Sequence, residues 1–421
     1  MNKTFQAGKI LIPNKNIDYS KWATVACDQF SSQLDYWQEV AKIVGEEPST
    51  LYLMLPEVYL DTVDIEETRK NINGKMNEYV ESGIFEELDD SLIYIERTLD
   101  NGKIRPGLVG LLNLEKYDFN KDSTSAVKAS ENTIISRLPP RITMREDAII
   151  EMPHVMVLID DQEDSVMGPL RKNKDQLEKI YDFELMQKGG SIAGYKITGQ
   201  QAREVEDRVE ALADLESFEE KYNVSGKSVT QMIIGDGNHS LAAAKACWEK
   251  IKTSLSEEEA KNHPAQYALI ELSNVHDESL EIEPIHRAIF NVDIDKLTSE
   301  LLKECPHINK EPGDYKMVYQ SIKGSETIYS HDLTLGQTIN EVQVFLDDYV
   351  EKNGGSIDYI HGDDVLSDLS SKENTLGIYM PPVEKGDLFK SVINGGVFPK
   401  KSFSMGNAID KRYYFECRKI K

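Results

Sequence analysis

Residues 229–246 read VTQMIIGDGNHSLAAAKA. The apolar run Val229–Ile234 predicts a buried strand, and the alanine-rich spacing of Leu241–Ile251 predicts a helix that begins almost at once. Gly235-Asp236-Gly237-Asn238-His239-Ser240 joins them, and its two glycines let the backbone turn sharply. Ala242, Ala243, Ala244 and Ala246 are small enough for the helix to lie close on a sheet. The first N–H groups of such a helix have no internal partner, and the macrodipole adds to them, so its start suits an anion. The pattern therefore expects Gly235, Gly237, Asn238 and Ser240 around a phosphate. Asp236 would hold Mg²⁺ or position a hydroxyl, and His239 would add a donor. The competing reading is a structural turn with Asn238 as N-cap and His239 in a local hydrogen bond. A dinucleotide fingerprint is excluded, because Ser240 stands where its third glycine belongs.

Outward from this segment, strands and helices alternate. Strands are expected at Lys9–Ile12, Trp22–Cys27, Ser91–Leu99, Gly107–Leu114, Pro153–Ile159, Ala265–Ser273, Tyr359–Ile360, Thr375–Met380 and Tyr413–Arg418. Asp100–Lys103 carries Asn-Gly and predicts a tight turn between two of them. Helical spacing marks Gln33–Val44, Ile65–Ser82, Asp175–Leu185, Gly199–Tyr222, Leu297–Lys303 and Asn340–Asn353, while Asp118–Glu131 reads as a loop. Gly189-Gly190-Ser191 reads as a turn before a strand. The mixture predicts an α/β or α+β fold with a mixed sheet. No Pro/Gly/Ser linker marks a boundary, so residues 1–421 are expected to form one unit of two or more lobes, with the strand–turn–helix at 229–251.

The 73 acidic residues against 48 basic ones give a net charge of -25, which argues against nucleic-acid binding by displacement of counterions. No run approaches the ~18 apolar residues of a membrane span. The opening MNKTFQAGKILIPNKN lacks a long apolar stretch and a cleavage site, so a cytoplasmic location is expected. The four cysteines lie far apart with no CxxC pair, which fits free thiols in a reducing compartment. A GxxxxGK[ST] loop, an HExxH pair, an EF-hand and the kinase HRD and DFG triplets are all absent.

Other residues have a chemical and a structural reading. Asp28 follows an expected strand, where sheet ends bind ligands, or else it sits at a helix N-terminus. Glu146 stands with Arg141, Arg145 and Asp147, as an acceptor-binding acid or as solvated charge. His286 and Arg287 would supply phosphate charge, or else a salt bridge to Glu281 or Glu283. Lys400 and Lys401 follow Gly395-Gly396 and make a basic turn in an acidic chain. His154, on an apolar run, reads as a satisfied core residue.

Residues 233–246, IIGDGNHSLAAAKA, resemble the DGHHR-type motif of a bacterial family of domains of unknown function. The likeness extends to ATVACDQFSSQLDYW (Ala23–Trp37), TMREDAIIEMPHVMVLIDD (Thr143–Asp161), YDFELMQKGGSIAGY (Tyr181–Tyr195), IEPIHRAIF (Ile282–Phe290) and FPKKSFSMGNA (Phe398–Ala408). The turn is also similar to that of the ParB/sulfiredoxin-like fold, which includes free L-serine kinases. The resemblance implies an enzyme that phosphorylates a small hydroxyl compound, with free L-serine leading, from ATP or another phosphate donor with Mg²⁺. Asp236, His239, Asp28 and Glu146 would be catalytic. Gly235, Gly237, Asn238, Ser240, His286, Arg287, Lys400 and Lys401 would bind the donor. Asn238 and Ser240 depart from the first His and the Arg of DGHHR, and the loss of that Arg removes a bidentate phosphate clamp. Two alternatives are a non-catalytic sensor of a nucleotide or phosphometabolite, and a ParB-like DNA-binding module, which would need a basic face.

Overall fold

In the computed structural model, which describes residues 3–120 and 123–421, the chain divides into two units. The first takes residues 1–129, 133–280 and 407–421, and the second takes 130–132 and 281–406. The fold is α/β with a mixed sheet.

The sheet of the first unit runs, in spatial order, Glu178–Glu184, Ser191–Thr198, Phe85–Thr98, Ile104–Asn113, Tyr267–Asn274, Val155–Ile159, Met232–Asp236, Val127–Lys128 and Tyr117–Asp118. Phe5–Gln6 and Gly8–Pro13 add to it off this path. Tyr267–Asn274 runs parallel to Val155–Ile159, and the last three strands are parallel to one another. Successive side chains of a strand point to opposite faces. Accordingly, Leu92 and Tyr94 enter one apolar cluster while Ile93 and Ile95 enter another. Burial on both faces explains why these strands read as continuous apolar runs. The helix Asn238–Lys252 buries Leu241, Ala244 and Trp248 in one of those clusters. Leu138–Glu146 packs beside that helix.

The final segment of the first unit is held by buried charge. Arg97 Nη2 donates to the carbonyls of Gly189 at 2.6 Å and Ile409 at 3.1 Å, and Arg105 Nη1 donates to Asp410 at 2.6 Å. Arg412 pairs with Glu271 at 3.2 Å and with Glu416. Ions removed from water persist only when paired and hydrogen-bonded in this way, so residues 409–416 have little freedom to shift. Lys411 and Tyr414 are thereby fixed in place.

The second unit carries an antiparallel sheet in the order Ile308–Asn309, Gly324–Ser330, Tyr315–Ser321, Thr375–Tyr379, His286–Phe290 and Ser356–Ile360. Its helices include Ile294–Glu304, Leu335–Asn353, Asp363–Ser370 and Lys385–Gly395.

Several local expectations are corrected. Asp175–Leu185 contains a strand, Glu178–Glu184, paired antiparallel with Ser191–Thr198. Its apolar residues mimic helical spacing, but the pairing decides, and Gly194 leaves room for the Tyr181 ring across it. Gly199–Tyr222 is two helices, Gly199–Ala211 and Leu215–Tyr222, because Asp214 caps the second by accepting from Ser217 N. Trp22 ends a short helix, and only Thr24–Val25 is extended. Tyr413–Arg418 splits into Tyr413–Tyr414 and Arg418–Lys419. The expected loop Asp118–Glu131 contains the strand Val127–Lys128, and its Lys121 and Asp122 lie outside the described residues. Leu138–Glu146 is a helix that the sequence reading did not mark, and its Pro139 and Pro140 sit in the first turn, where proline is tolerated.

Candidate functional site

The strand Met232–Asp236 pairs antiparallel with Val155–Ile159, and its register shifts between Ile234 and Asp236. Gly235 is the extra residue of this bulge, which turns Asp236 toward the start of the neighbouring strand. Gly237 follows at φ +83°, and a Cβ there would lie 3.1 Å from both the His154 carbonyl and the Val155 Cα. The position thus requires glycine for both its backbone conformation and its close approach. Gly237, not Asn238, is the N-cap, and no side chain caps the helix Asn238–Lys252 that follows. Asn238, His239 and Ser240 are half-buried.

Asp236 is engaged on both oxygens. Oδ1 accepts from Gly237 N at 2.9 Å, and Oδ2 faces Lys411 Nζ at 3.2 Å. His239 Nε2 accepts from Ile134 N at 3.2 Å, a partner far along the chain and not the local one that the structural reading expected. Ser240 lines a cavity beside the helix.

Across the bulge lies a second group. His154 Nε2 meets Asp28 Oδ2 at 3.2 Å, and its Nδ1 meets the Tyr414 hydroxyl. That hydroxyl donates onward to Cys27 Sγ at 3.5 Å, and Asp28 Oδ1 accepts from Gln29 Nε2 at 2.9 Å. Burial opposes the charge on Asp28, but His154, then Gln29 and Lys411, outweigh it and hold the carboxyl well below its usual range. Burial also opposes charge on His154, and Tyr414, Asp28 and Cys27 outweigh it, raising the imidazole well above 6.5. The resting pair is therefore carboxylate and imidazolium. Burial pushes the Tyr414 phenol up, so it stays protonated and donates.

One end of the sheet thus gathers two carboxylates, an imidazolium, a lysine and an uncapped helix start, all within the first unit. Glu146 does not join them: it is held by Lys250 and does not line the cavity. Arg141 and Arg145, expected as solvated charge, do line it, each against a carboxylate, Glu57 and Glu151 respectively.

The other expected donor ligands lie in the second unit. His286 Nε2 meets Asp363 Oδ1 at 2.8 Å, and its Nδ1 accepts from Met380 N at 3.1 Å. Arg287 is fully buried, donates to Gln343 Oε1 and the Ile285 carbonyl at 2.6 Å, and stacks on Tyr359. Their side-chain partners thus include Asp363 and Gln343, and Glu283 adds a smaller pull on His286. Lys401 places its Nζ 5.0 Å from the Tyr359 ring centroid, and Lys400 is exposed.

Sequence reasoning missed His154, Lys411 and Tyr414. Lys411 and Tyr414 arrive from the far end of the chain, and no local pattern marks them.

A family described as "Protein of unknown function (DUF1015)" matches residues 11–349. This chain belongs to that family. No curated protein sequence matches it. Among solved structures, a mutant free serine kinase in complex with ADP is similar at 11% identity and a TM-score of 0.40, over 74% of this chain and 91% of that one. A conserved hypothetical protein from Pyrococcus furiosus is similar at 13% identity and a TM-score of 0.37, over 74% of this chain and 94% of that one. C-terminally truncated SbnI from Staphylococcus aureus is similar at 10% identity and a TM-score of 0.37, over 71% and 82%. Among the described residues of this DUF1015 member, no helix is long and apolar enough to cross a membrane.

Proposed function

We propose that this DUF1015 member transfers a phosphoryl group from ATP, or another phosphate donor, to the hydroxyl of a small molecule. Free L-serine is the simplest acceptor of that class. The observation that carries the reading is the uncapped start of the helix Asn238–Lys252, with Lys411, Asp236, Asp28 and His154 gathered beside it. In phosphoryl transfer a protein mainly positions groups and neutralises charge, and this cluster is suited to both. The N–H groups of Asn238, His239 and Ser240 receive phosphate oxygens, and Lys411 takes the place of the arginine missing at Ser240. Asp28, held ionised, orients the acceptor hydroxyl and takes its proton as the oxygen–phosphorus bond forms and the bond from that phosphorus to the donor's leaving oxygen breaks, releasing ADP when the donor is ATP. His154 fixes that carboxylate and adds positive charge.

Among the described residues, no group of three His, Cys, Asp or Glu side chains could hold a metal ion. The residues present fit Mg²⁺ only as it arrives with a nucleotide, through one carboxylate and the phosphates, and Asp236 is that carboxylate. Mg²⁺ would supply neutralisation of the phosphate charge. The hold of Lys411 on Asp236 favours a second reading, a nucleotide sensor without turnover.

Incubation with ATP, Mg²⁺ and a pool of hydroxyl metabolites that includes L-serine, followed by ³¹P NMR, separates the two. ADP together with a new phosphomonoester is expected. Nucleotide binding without either product would establish the sensor.

A further inference from the structure

The cavity beside the helix Asn238–Lys252 measures about 190 Å³ and lies wholly within the first unit. Its wall is formed largely by Met54, Ile72, Met76, Met144, Ala148 and Ile150. Two arginines face it, and each is already matched. Arg141 pairs with Glu57, and Arg145 Nη2 meets Glu151 Oε2 at 2.5 Å. Glu151 in turn accepts from Leu269 N at 2.8 Å and pairs with Arg418 at 3.2 Å. A free carboxylate or ammonium entering here would have to break one of these pairs. His154, Tyr414, Cys27 and Ser240 border the same space, so its polar edge is the edge of the proposed reaction site.

We infer that this cavity receives an uncharged apolar group of the acceptor, one aromatic ring or a branched chain of about that size, with the hydroxyl held at the Asp28–His154 edge. The identity of the ligand as acceptor rests on the phosphotransferase reading above. Volume supports the size, since an engineered apolar cavity of about 150 Å³ holds benzene. The lining supports the chemistry, because ligand pockets are mostly apolar with a few polar groups at one side. Methionine side chains adapt to irregular apolar shapes, which suits a lining that holds four of them, Met54, Met76, Met144 and Met152. A nucleobase is disfavoured because its edges need hydrogen-bond partners, and the charged groups of this wall are already committed. Free serine, the simplest acceptor of the class, would leave the apolar volume unfilled, so the inference narrows the acceptor to a hydroxyl compound that carries an apolar group.

The test is calorimetric titration of benzyl alcohol into the full chain without nucleotide, repeated for Ala148→Phe and for Met144→Trp, with AMP titrated in parallel. Met144 is half-buried, so the second variant serves if the first fails to fold. Saturable binding is expected in the original chain, at least tenfold weaker in either variant, with AMP affinity unchanged. L-serine should give no signal that depends on these substitutions. Unchanged benzyl alcohol affinity in a folded variant, or no saturable binding at all, would overturn the proposal. Displacement by adenosine would also overturn it, by making the cavity a nucleobase site. Cavity-dependent binding of benzyl alcohol by a chain that binds no nucleotide would keep the apolar site and remove its role as acceptor site.

Discussion

Asp28→Asn should lower the rate of phosphoryl transfer by about 10²–10⁴-fold, the range for losing a positioned proton acceptor, with nucleotide affinity nearly unchanged. The substitution keeps size and hydrogen-bonding capacity but removes the charge that faces His154 at 3.2 Å. Its pH dependence gives a second readout. In the original chain Asp28 is depressed and His154 is raised, so both remain charged across the neutral range. Activity there should show no titration near the ordinary histidine value of about 6.5. Without Asp28, burial acts on His154 against one fewer opposing charge, so its pKa falls and the imidazolium is lost at lower pH. The residual activity of the variant should therefore decline as pH rises, where the original stays level. Equal rates for the two chains would remove Asp28 from the reaction.

The second large effect is expected at Lys411. Lys411→Met keeps the length and apolar stem of the side chain and deletes its charge. A hydrogen bond to a charged group contributes about 1.5–3 kcal/mol, so ATP should bind about 10- to 150-fold more weakly. Most of that loss should appear in affinity and should change little with salt, because Lys411 is buried and such contacts are weakly screened. Folding should change less. The fixed backbone around Lys411 depends on Arg97 and Arg105 donating to carbonyls, which the substitution leaves in place. Asp236, 29% exposed, can turn to water once its partner is gone. Unchanged ATP affinity in a folded Lys411→Met protein would assign the lysine to the structure of the turn alone.

What could be read from the sequence follows from what is local. The Met232–Asp236 strand, the glycine turn and the alanine-rich helix sit within about twenty consecutive residues, and their pattern states strand, break and close packing directly. The bulge at Gly235 and the cap at Gly237 needed the neighbouring strand, because both are relations between two chains of backbone. His154 was hidden by its own surroundings, since a single histidine in PHVMVLI has the signature of a core residue. Only the arrival of Asp28 on one ring nitrogen and Tyr414 on the other distinguishes it. The strand Glu178–Glu184 was misread for a related reason. Its apolar residues are spaced as on a helix, and pairing with Ser191–Thr198 is a non-local event that propensity does not register. His286 and Arg287 read equally as phosphate ligands or as a salt-bridged pair, and their partners Asp363, Gln343 and Tyr359 are too far along the chain for the sequence to name.

The central claim is that phosphate binds at the first turn of the helix that begins at Asn238. A crystal structure of the full chain with Mg²⁺ and a non-hydrolysable ATP analogue tests it most directly. Phosphate oxygens should lie about 2.7–3.2 Å from the backbone N–H groups of Asn238, His239 or Ser240, the ordinary range for such hydrogen bonds, with Lys411 turned toward them. An analogue whose phosphates bind elsewhere, while Asp236 and Lys411 remain paired over an empty turn, would contradict the account.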